Sequence, residues 1–371
     1  FVDRPADLAA LVAELAHAHV VALDAEFAQS RYRVPDEPPH RLALLQLAFD
    51  NAYRASFVLD ALRLADLSAL QTIFEQPAIL KVFHGIGADT RVLATRGLVA
   101  HNTLDIEAVS RSLFGQQESG LQRMLLRAAG VRIDKSLQRA DWSRRPLTPA
   151  MVTYAARDAE MTYVLHDWLT AHYPQMVALH HTPAGEPTPA IAAWIVPYLE
   201  GSRPKPAAIA VVEAGLAADL AAQERDVRAA LATVLHPPQR TRVIRMIADL
   251  ELAGLTADLR PSLTAPAAEE RSGAARAIGR LHDRTAILAL RTLLADPVHD
   301  VRASALIAIE HLETGPRRPS PRPQPSTASS GSVRWTSDTE SATTGGASWQ
   351  DQLRREFGVS PPRLDAPDDS D

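Results

Sequence analysis

Hydrophobic positions change their period along this chain, and each period predicts an element. Asp3 and Pro5 mark a helix start, and Leu8, Leu11, Val12 and Leu15 follow at helical spacing. Val20, Val21, Ala22 and Leu23 then run unbroken into Asp24-Ala25-Glu26-Phe27, which predicts a strand over residues 20–26. Residues 28–41 are polar and hold Pro35, Pro38 and Pro39, so they read as a loop. Residues 42–49 read as a buried strand and residues 53–59 as its hairpin partner. Leu67, Leu70, Ile73 and Phe74 mark a helix, and residues 79–83 a further strand that ends at His84. Asp89 opens a helix through Val92 and Leu93. Later helices run from Asp105 to near Gly115, over residues 120–129, closed by Gly130, and from the N-cap pair Thr148-Pro149. The order β-β-β-α-β, with helices after it, predicts an α/β layer fold with a mixed sheet.

Beyond this first domain, residues 1–178, the pattern changes. Residues 179–206 hold Pro183, Pro187, Pro189, Pro204 and Pro206 around one short apolar piece, and read as a connector. Residues 207–313 carry an internal repeat. Arg240, Arg271 and Arg302 recur every 31 residues, as do Ile247, Ile278 and Ile309, and Leu250, Leu281 and Leu312. A fixed period of helix pairs predicts a solenoid. Asp296-Pro297-Val298-His299-Asp300-Val301-Arg302 resembles the turn between HEAT-like repeats, and residues 207–235 would cap the array. The repeated arginines fit two roles, pairing with a neighbouring repeat or binding phosphate. Residues 314–371 are rich in Pro, Ser, Thr, Gly and Arg, a composition that cannot bury a core and predicts disorder. Within them, Trp349, Leu353 and Phe357 allow a short helix over residues 348–358, either idle or a partner's ligand.

Composition narrows the class. The chain has 371 residues, 46% of them hydrophobic, enough for two or three domains. Cysteine is absent, so disulfides and thiolate metal sites are excluded. The net charge of −5 leaves only local patches to meet a nucleic acid. No apolar run approaches the roughly 20 residues of a membrane span, and the start, Phe1-Val2-Asp3-Arg4, does not read as a signal peptide. We therefore expect a cytoplasmic protein without a membrane partner. The absent initiator Met suggests a processed or trimmed form.

The chemistry lies in the carboxylates. On a strand, side chains alternate, so Asp24 and Glu26 share a face and repel each other. A hard divalent cation with oxygen ligands removes that repulsion. Asp89 and Asp158 are further carboxylates on other elements, and Tyr154 lies one helical turn from Asp158. Two divalent ions roughly 4 Å apart activate a water and stabilise the leaving oxygen of a phosphodiester. Each fragment alone has an ordinary explanation: a solvated strand end, a helix-start Asp, a surface Tyr–Asp pair.

Together these residues resemble a known family. Asp24-x-Glu26, Asp89 after a strand and its histidine turn, and Tyr154-x-x-x-Asp158 look like the three motifs of the DEDDy 3′–5′ exonucleases, most of all the ribonuclease D branch. Lys81-Val82-Phe83-His84, Asp134-Lys135-Ser136-Leu137-Gln138, Asp141-Trp142, Arg145-Pro146-Leu147-Thr148 and Tyr154-Ala155-Ala156-Arg157-Asp158 look like that branch too, over residues 1–172. The resemblance implies a ribonuclease H-like fold and two Mg²⁺ or Mn²⁺ ions. It implies that Asp24, Glu26 and Asp158 hold the catalytic metal, that Asp24 bridges to a second, and that Asp89 helps through water. Tyr154 would orient the attacking water. Phe27 would lie against the terminal nucleotide, and Lys135 would approach the substrate backbone. His84 would be a packed turn residue. Two departures stand out: Ala25 replaces the usual Thr, and the turn Gly85-Ile86-Gly87-Ala88 is richer in glycine.

The expectation is a metal-dependent 3′–5′ exoribonuclease that releases nucleoside 5′-monophosphates from a single-stranded RNA 3′ end, in RNA 3′-end processing or turnover. A DNA exonuclease of the same mechanism, or an RNA- or protein-binding scaffold acting through the helical repeats, stays open. So does a protein partner for the repeats or the tail.

Overall fold

The computed structural model describes residues 1–29, 40–51, 55–134, 136–181, 191–200 and 206–314. Lys135, Tyr53, part of the proline-rich connector and all of residues 315–371, with the expected tail helix, lie outside them. The described residues belong to one compact unit. Among them, no helix is long and apolar enough to cross a membrane.

Helix α1 (Pro5–Leu15) leads into β1 (Val20–Gln29), then β2 (His40–Phe49) and β3 (Ser56–Asp60). Next come α2 (Gln71–Glu75), β4 (Leu80–Phe83), α3 (Gly87–Ala94), β5 (Thr103–Asp105), α4 (Ile106–Phe114) and α5 (Leu121–Ala129). The sheet order is β3-β2-β1-β4-β5. Strand β1 pairs antiparallel with β2 and parallel with β4, and β5 joins β4 in parallel, so the sheet is mixed as expected. Strand β5 was not foreseen. It is three residues long with one buried apolar side chain, Leu104, and too short to show a period.

The strand period decides the two faces. Val21, Leu23 and Ala25 of β1 pack with Leu45 and Leu47 of β2 and with Leu8, Leu11 and Leu15 of α1. Ala22 points the other way, into a cluster with Ala48, Val82, Ala159 and Leu165. Asp24 and Glu26 share the parity of Ala22, so they face α6 (Pro149–His172). Thr148 caps this 24-residue helix, its hydroxyl accepting from the Met151 amide at 3.2 Å, with Pro149 at the first position. Leu165 and Leu169 are fully buried, each worth about 1.5–3 kcal/mol, and they fix the helix against the sheet.

The rest is helical: α7 (Pro174–His180), α8 (Val196–Glu200), α9 (Ala207–Glu213), α10 (Leu220–Thr233), α11 (Pro237–Asp249), α12 (Thr256–Leu259), α13 (Ala268–Arg280), α14 (Ile287–Thr292) and α15 (His299–Thr314). The last three long helices share a core that runs from Ile195 to Leu312. A Cβ added at Gly279 of α13 would lie 2.8 Å from the Cα of Ala308, so only glycine permits that approach to α15. This region also seats on the first domain. The Gln116 amide donates to Asp300 Oδ2 (3.0 Å), and Ser112 on α4 donates to Glu269 Oε1 on α13 (2.5 Å). Gly115, at φ +86°, leaves no room for a side chain beside Val298.

Candidate active site

Strand β1 and helix α6 bring three of the expected carboxylates together. Oxygens of Asp24, Glu26 and Asp158 all lie within 4.8 Å of one another. Asp24 and Glu26 are half-buried, and Asp158 is 9% exposed. Immediately after Glu26 the β1–β2 register shifts: Glu26 opposes Leu44 and Phe27 opposes Leu42. Such a bulge re-aims the chain. Here it lets two consecutive side chains, Glu26 and Phe27, line the same cleft.

The cluster is electrostatically frustrated. Burial first, then the charges of Asp89 and Asp158, push the Asp24 carboxyl well above its ordinary range. Burial, then Asp24, Asp158 and Asp89, push Glu26 up to about 9. Among the described residues, no cationic side chain is a leading cause of either shift. Packed anions without a counter-charge are costly, and the oxygen donors fit a hard divalent cation. Tyr154 bonds Asp158 one turn away, and its phenol is raised by burial and by the charges of Asp158, Glu26 and Asp24. It therefore stays protonated and can donate.

Asp89 stands apart. It lies on α3, 7% exposed, outside the group of three but close enough to raise the pKa of Asp24. Its own carboxyl is pushed up to about 7 by burial and then by Asp105, against the pull of Arg91. The turn before it depends on Gly85, whose φ of +87° disfavours a side chain. The Gly85 amide donates to Asp105 Oδ1 at 2.9 Å, and the same oxygen caps α4. His84 is packed as expected: its Nε2 meets the Ser119 carbonyl at 3.0 Å, and burial lowers its pKa.

A cavity of about 620 Å³ opens beside Glu26, lined also by Phe27, His40, Gln138, Arg139 and Trp142. Trp142, 3% exposed, lies 5.9 Å from the Tyr154 ring. His40 and Arg139 were not singled out from the sequence, and Gln138 entered only within the stretch Asp134–Gln138 that resembles the ribonuclease D branch. They carry no period, and only the folded loop brings them to the cleft. Gln46 was missed as well. It lies across from Asp24 in register, fully buried, and its amide has no partner among the described residues. Its signal was a lone polar residue in an apolar run.

With this geometry in view, comparison with known proteins is informative. Residues 1–173 match the family model described as 3′–5′ exonuclease. Residues 1–173 are thus similar to 3′–5′ exonuclease domains, and relatives that share this segment include ribonucleases D. Ribonuclease D of Shewanella sp. (strain ANA-3) is 33% identical over 177 residues, 47% of this chain and 42% of that protein. Ribonuclease D of Escherichia coli (strain K12) is 34% identical over 139 residues, 37% and 35% of the respective chains. The chain thus spans less than half the length of these relatives. Among solved structures, the Trypanosoma brucei RNase D:GMP complex aligns at 23% identity and a TM-score of 0.41, covering 52% of this chain and 67% of that one.

Proposed function

We propose that the protein is a metal-dependent 3′–5′ exoribonuclease of the DEDDy kind, acting in RNA 3′-end processing or turnover. The observation that carries this reading is the group Asp24, Glu26 and Asp158, gathered within 4.8 Å beside a neutral Tyr154. Asp24, Glu26 and Asp158 would hold one divalent ion, Mg²⁺ or Mn²⁺, and Asp24, with Asp89 through water, a second. When bound, such ions make a water more acidic and neutralise charge on the phosphate and the leaving oxygen. Tyr154 orients the attacking water, and Trp142 backs its ring. Phe27 offers a face to the terminal nucleotide, and Arg139 a charge to its phosphate; Lys135 remains a candidate for the substrate backbone. The water oxygen joins phosphorus, and the bond to the preceding 3′ oxygen breaks. That oxygen takes up a proton, and a nucleoside 5′-monophosphate leaves.

RNA is preferred to DNA on the likeness to ribonuclease D. The helical region is read as a HEAT-like array, supported by helices α11, α13 and α15, which start 31 residues apart at Pro237, Ala268 and His299. Its recurring arginines support an ordering role. Arg240 pairs with Glu270 (2.6 Å) and Arg271 with Asp296 (2.7 Å), and Arg302 donates to the Asp296 and Pro297 carbonyls.

The test uses matched 5′-labelled RNA and DNA, with free or blocked 3′ ends, in Mg²⁺, Mn²⁺ or EDTA. A ladder that shortens only from a free 3′ end, needs metal and forms faster on RNA supports the proposal. Faster decay of DNA moves the substrate; no decay with the fold intact overturns the reading.

A further inference from the structure

The 31-residue period of the helical region places Arg245, Arg276 and Ile307 in one register and Asp249, Arg280 and His311 in another. Both rows lie along α11, α13 and α15, and together they line one groove of about 570 Å³. Its charge is one-sided. Asp249 is the only carboxylate among the lining residues, and Arg280 already donates to its Oδ1 at 2.8 Å. Arg245 and Arg276 are left over. Arg276 donates to the neutral hydroxyl of Ser304 at 2.9 Å. Arg245 is exposed and makes no hydrogen bond or ion pair among the described residues.

That separates these two from their neighbours. Arg228, Arg240, Arg260, Arg271, Arg280 and Arg291 each reach a carboxylate of this region. Those six each have a carboxylate partner, and Arg245 and Arg276 form no ion pair among the described residues. The two guanidiniums sit one repeat apart, and burial and the charge of Arg245 both lower the pKa of Arg276. Asp300 attracts Arg276 from the far side, but that carboxylate accepts from the Gln116 amide at 3.0 Å. Like charges drawn together in a groove, with no ion pair to a carboxylate formed by either among the described residues, favour an anionic ligand. Ile307, 50% exposed, adds an apolar wall at the end of the row.

We propose that this groove binds the phosphodiester backbone of a single-stranded nucleic acid, with Arg245 and Arg276 each on a phosphate. The planar guanidinium fork matches phosphate oxygens, and Ile307 gives a sugar or base an apolar surface. A period of one repeat between the two cations suits a repeating polyanion. The choice of nucleic acid over an acidic polypeptide rests on the nuclease reading.

The test is fluorescence anisotropy of a 5′-labelled 30-nucleotide single-stranded RNA with the full chain in EDTA. Metal-free, the three-carboxylate site lacks the cations that would draw phosphate to it and does not cleave, so loss of binding on substitution in the groove reads the groove itself. Arg245→Ala, at an exposed position, should weaken binding several-fold. Arg245→Ala with Arg276→Gln should weaken it about tenfold or more. It should also reduce the slope of log K against log salt by about 1.4, since each phosphate contact on a single strand contributes about 0.7. Circular dichroism checks that both variants stay folded. Affinity within twofold of wild type for both, or an unchanged salt slope, overturns the proposal. So does polyglutamate binding that the substitutions abolish while RNA binding persists, which would make the groove an acidic-peptide site. Failure of the nuclease reading would appear separately, as RNA that is bound but not shortened when Mg²⁺ is added.

Discussion

The loop that lines the cleft hangs on one buried ion pair, and breaking it should cost more than any other single contact near the site. Arg145 donates through Nε to Asp60 Oδ2 (2.5 Å) and through Nη2 to Asp60 Oδ1 (2.6 Å). Its Nη1 reaches the carbonyls of Trp142 (2.9 Å) and Arg144 (2.8 Å), and Nη2 also reaches that of Ala43 (3.2 Å). One guanidinium thus ties the loop to β2 and to the end of β3. Asp60 has a fully buried side chain, and its Oδ1 also accepts from the Leu62 and Arg63 amides. Arg145→Met leaves that carboxylate buried without a cation, a change that costs about 3–5 kcal/mol. A domain holds only about 5–15 kcal/mol in all. Urea unfolding followed by far-ultraviolet circular dichroism measures the loss. The double variant Asp60→Asn with Arg145→Met removes the charge but keeps an acceptor for the two amides, so it should be more stable than the single variant. Hydrogen exchange at residues 136–144 should quicken in the single variant, and cleavage should fall further than stability, because Trp142 loses its support. A single variant within about 1 kcal/mol of wild type, or a double variant less stable than the single, would refute the reasoning.

Other outcomes follow from the same geometry. Tyr154→Phe should lower kcat on RNA about a hundredfold, the order expected for a misplaced reactant, with little change in KM; equal kcat removes the water-orienting role. Gly85→Ala forces a side chain onto φ +87° and to 3.0 Å from Glu107 Oε2, so it should cost about 1–3 kcal/mol and depress cleavage through Asp89; an unchanged urea midpoint argues against that strain. The Glu26 carboxyl, raised from 4.5 to about 9, holds its proton more tightly when folded. Its contribution to metal-free stability is full below pH 4.5 and lost as pH rises through about 9. Bound cation takes the proton's place, so the gain in Tm on adding Mn²⁺ should grow from pH 6 to pH 8.5; a gain that shrinks over that range contradicts the site.

Much of this was legible in the residues because local periods survive folding. The apolar run before Asp24 declared a strand, and strand parity alone placed Asp24 and Glu26 on one face, with Ala25 in the opposite core. The cap pair Thr148-Pro149 fixed the start of α6, and helical spacing then set Tyr154 one turn from Asp158. What stayed hidden depends on long-range assembly. The bulge after Glu26 shows only in the pairing with β2. The Asp60–Arg145 pair joins residues 85 apart, and no short-range pattern announces it. Asp89, expected to help only through water, lies outside the tight group of three, and no residue spacing in the chain measured that distance. In the helical region the recurring arginines fitted two roles until their partners were visible.

The central claim is that Asp24, Glu26 and Asp158 form a divalent-cation site. Calorimetric titration of Mn²⁺ into the full chain at pH 8, without substrate, tests it most directly. Binding by wild type that is lost in Asp24→Asn and in Asp158→Asn, with both variants folded, is the predicted result. Equal binding by wild type and both variants would contradict it.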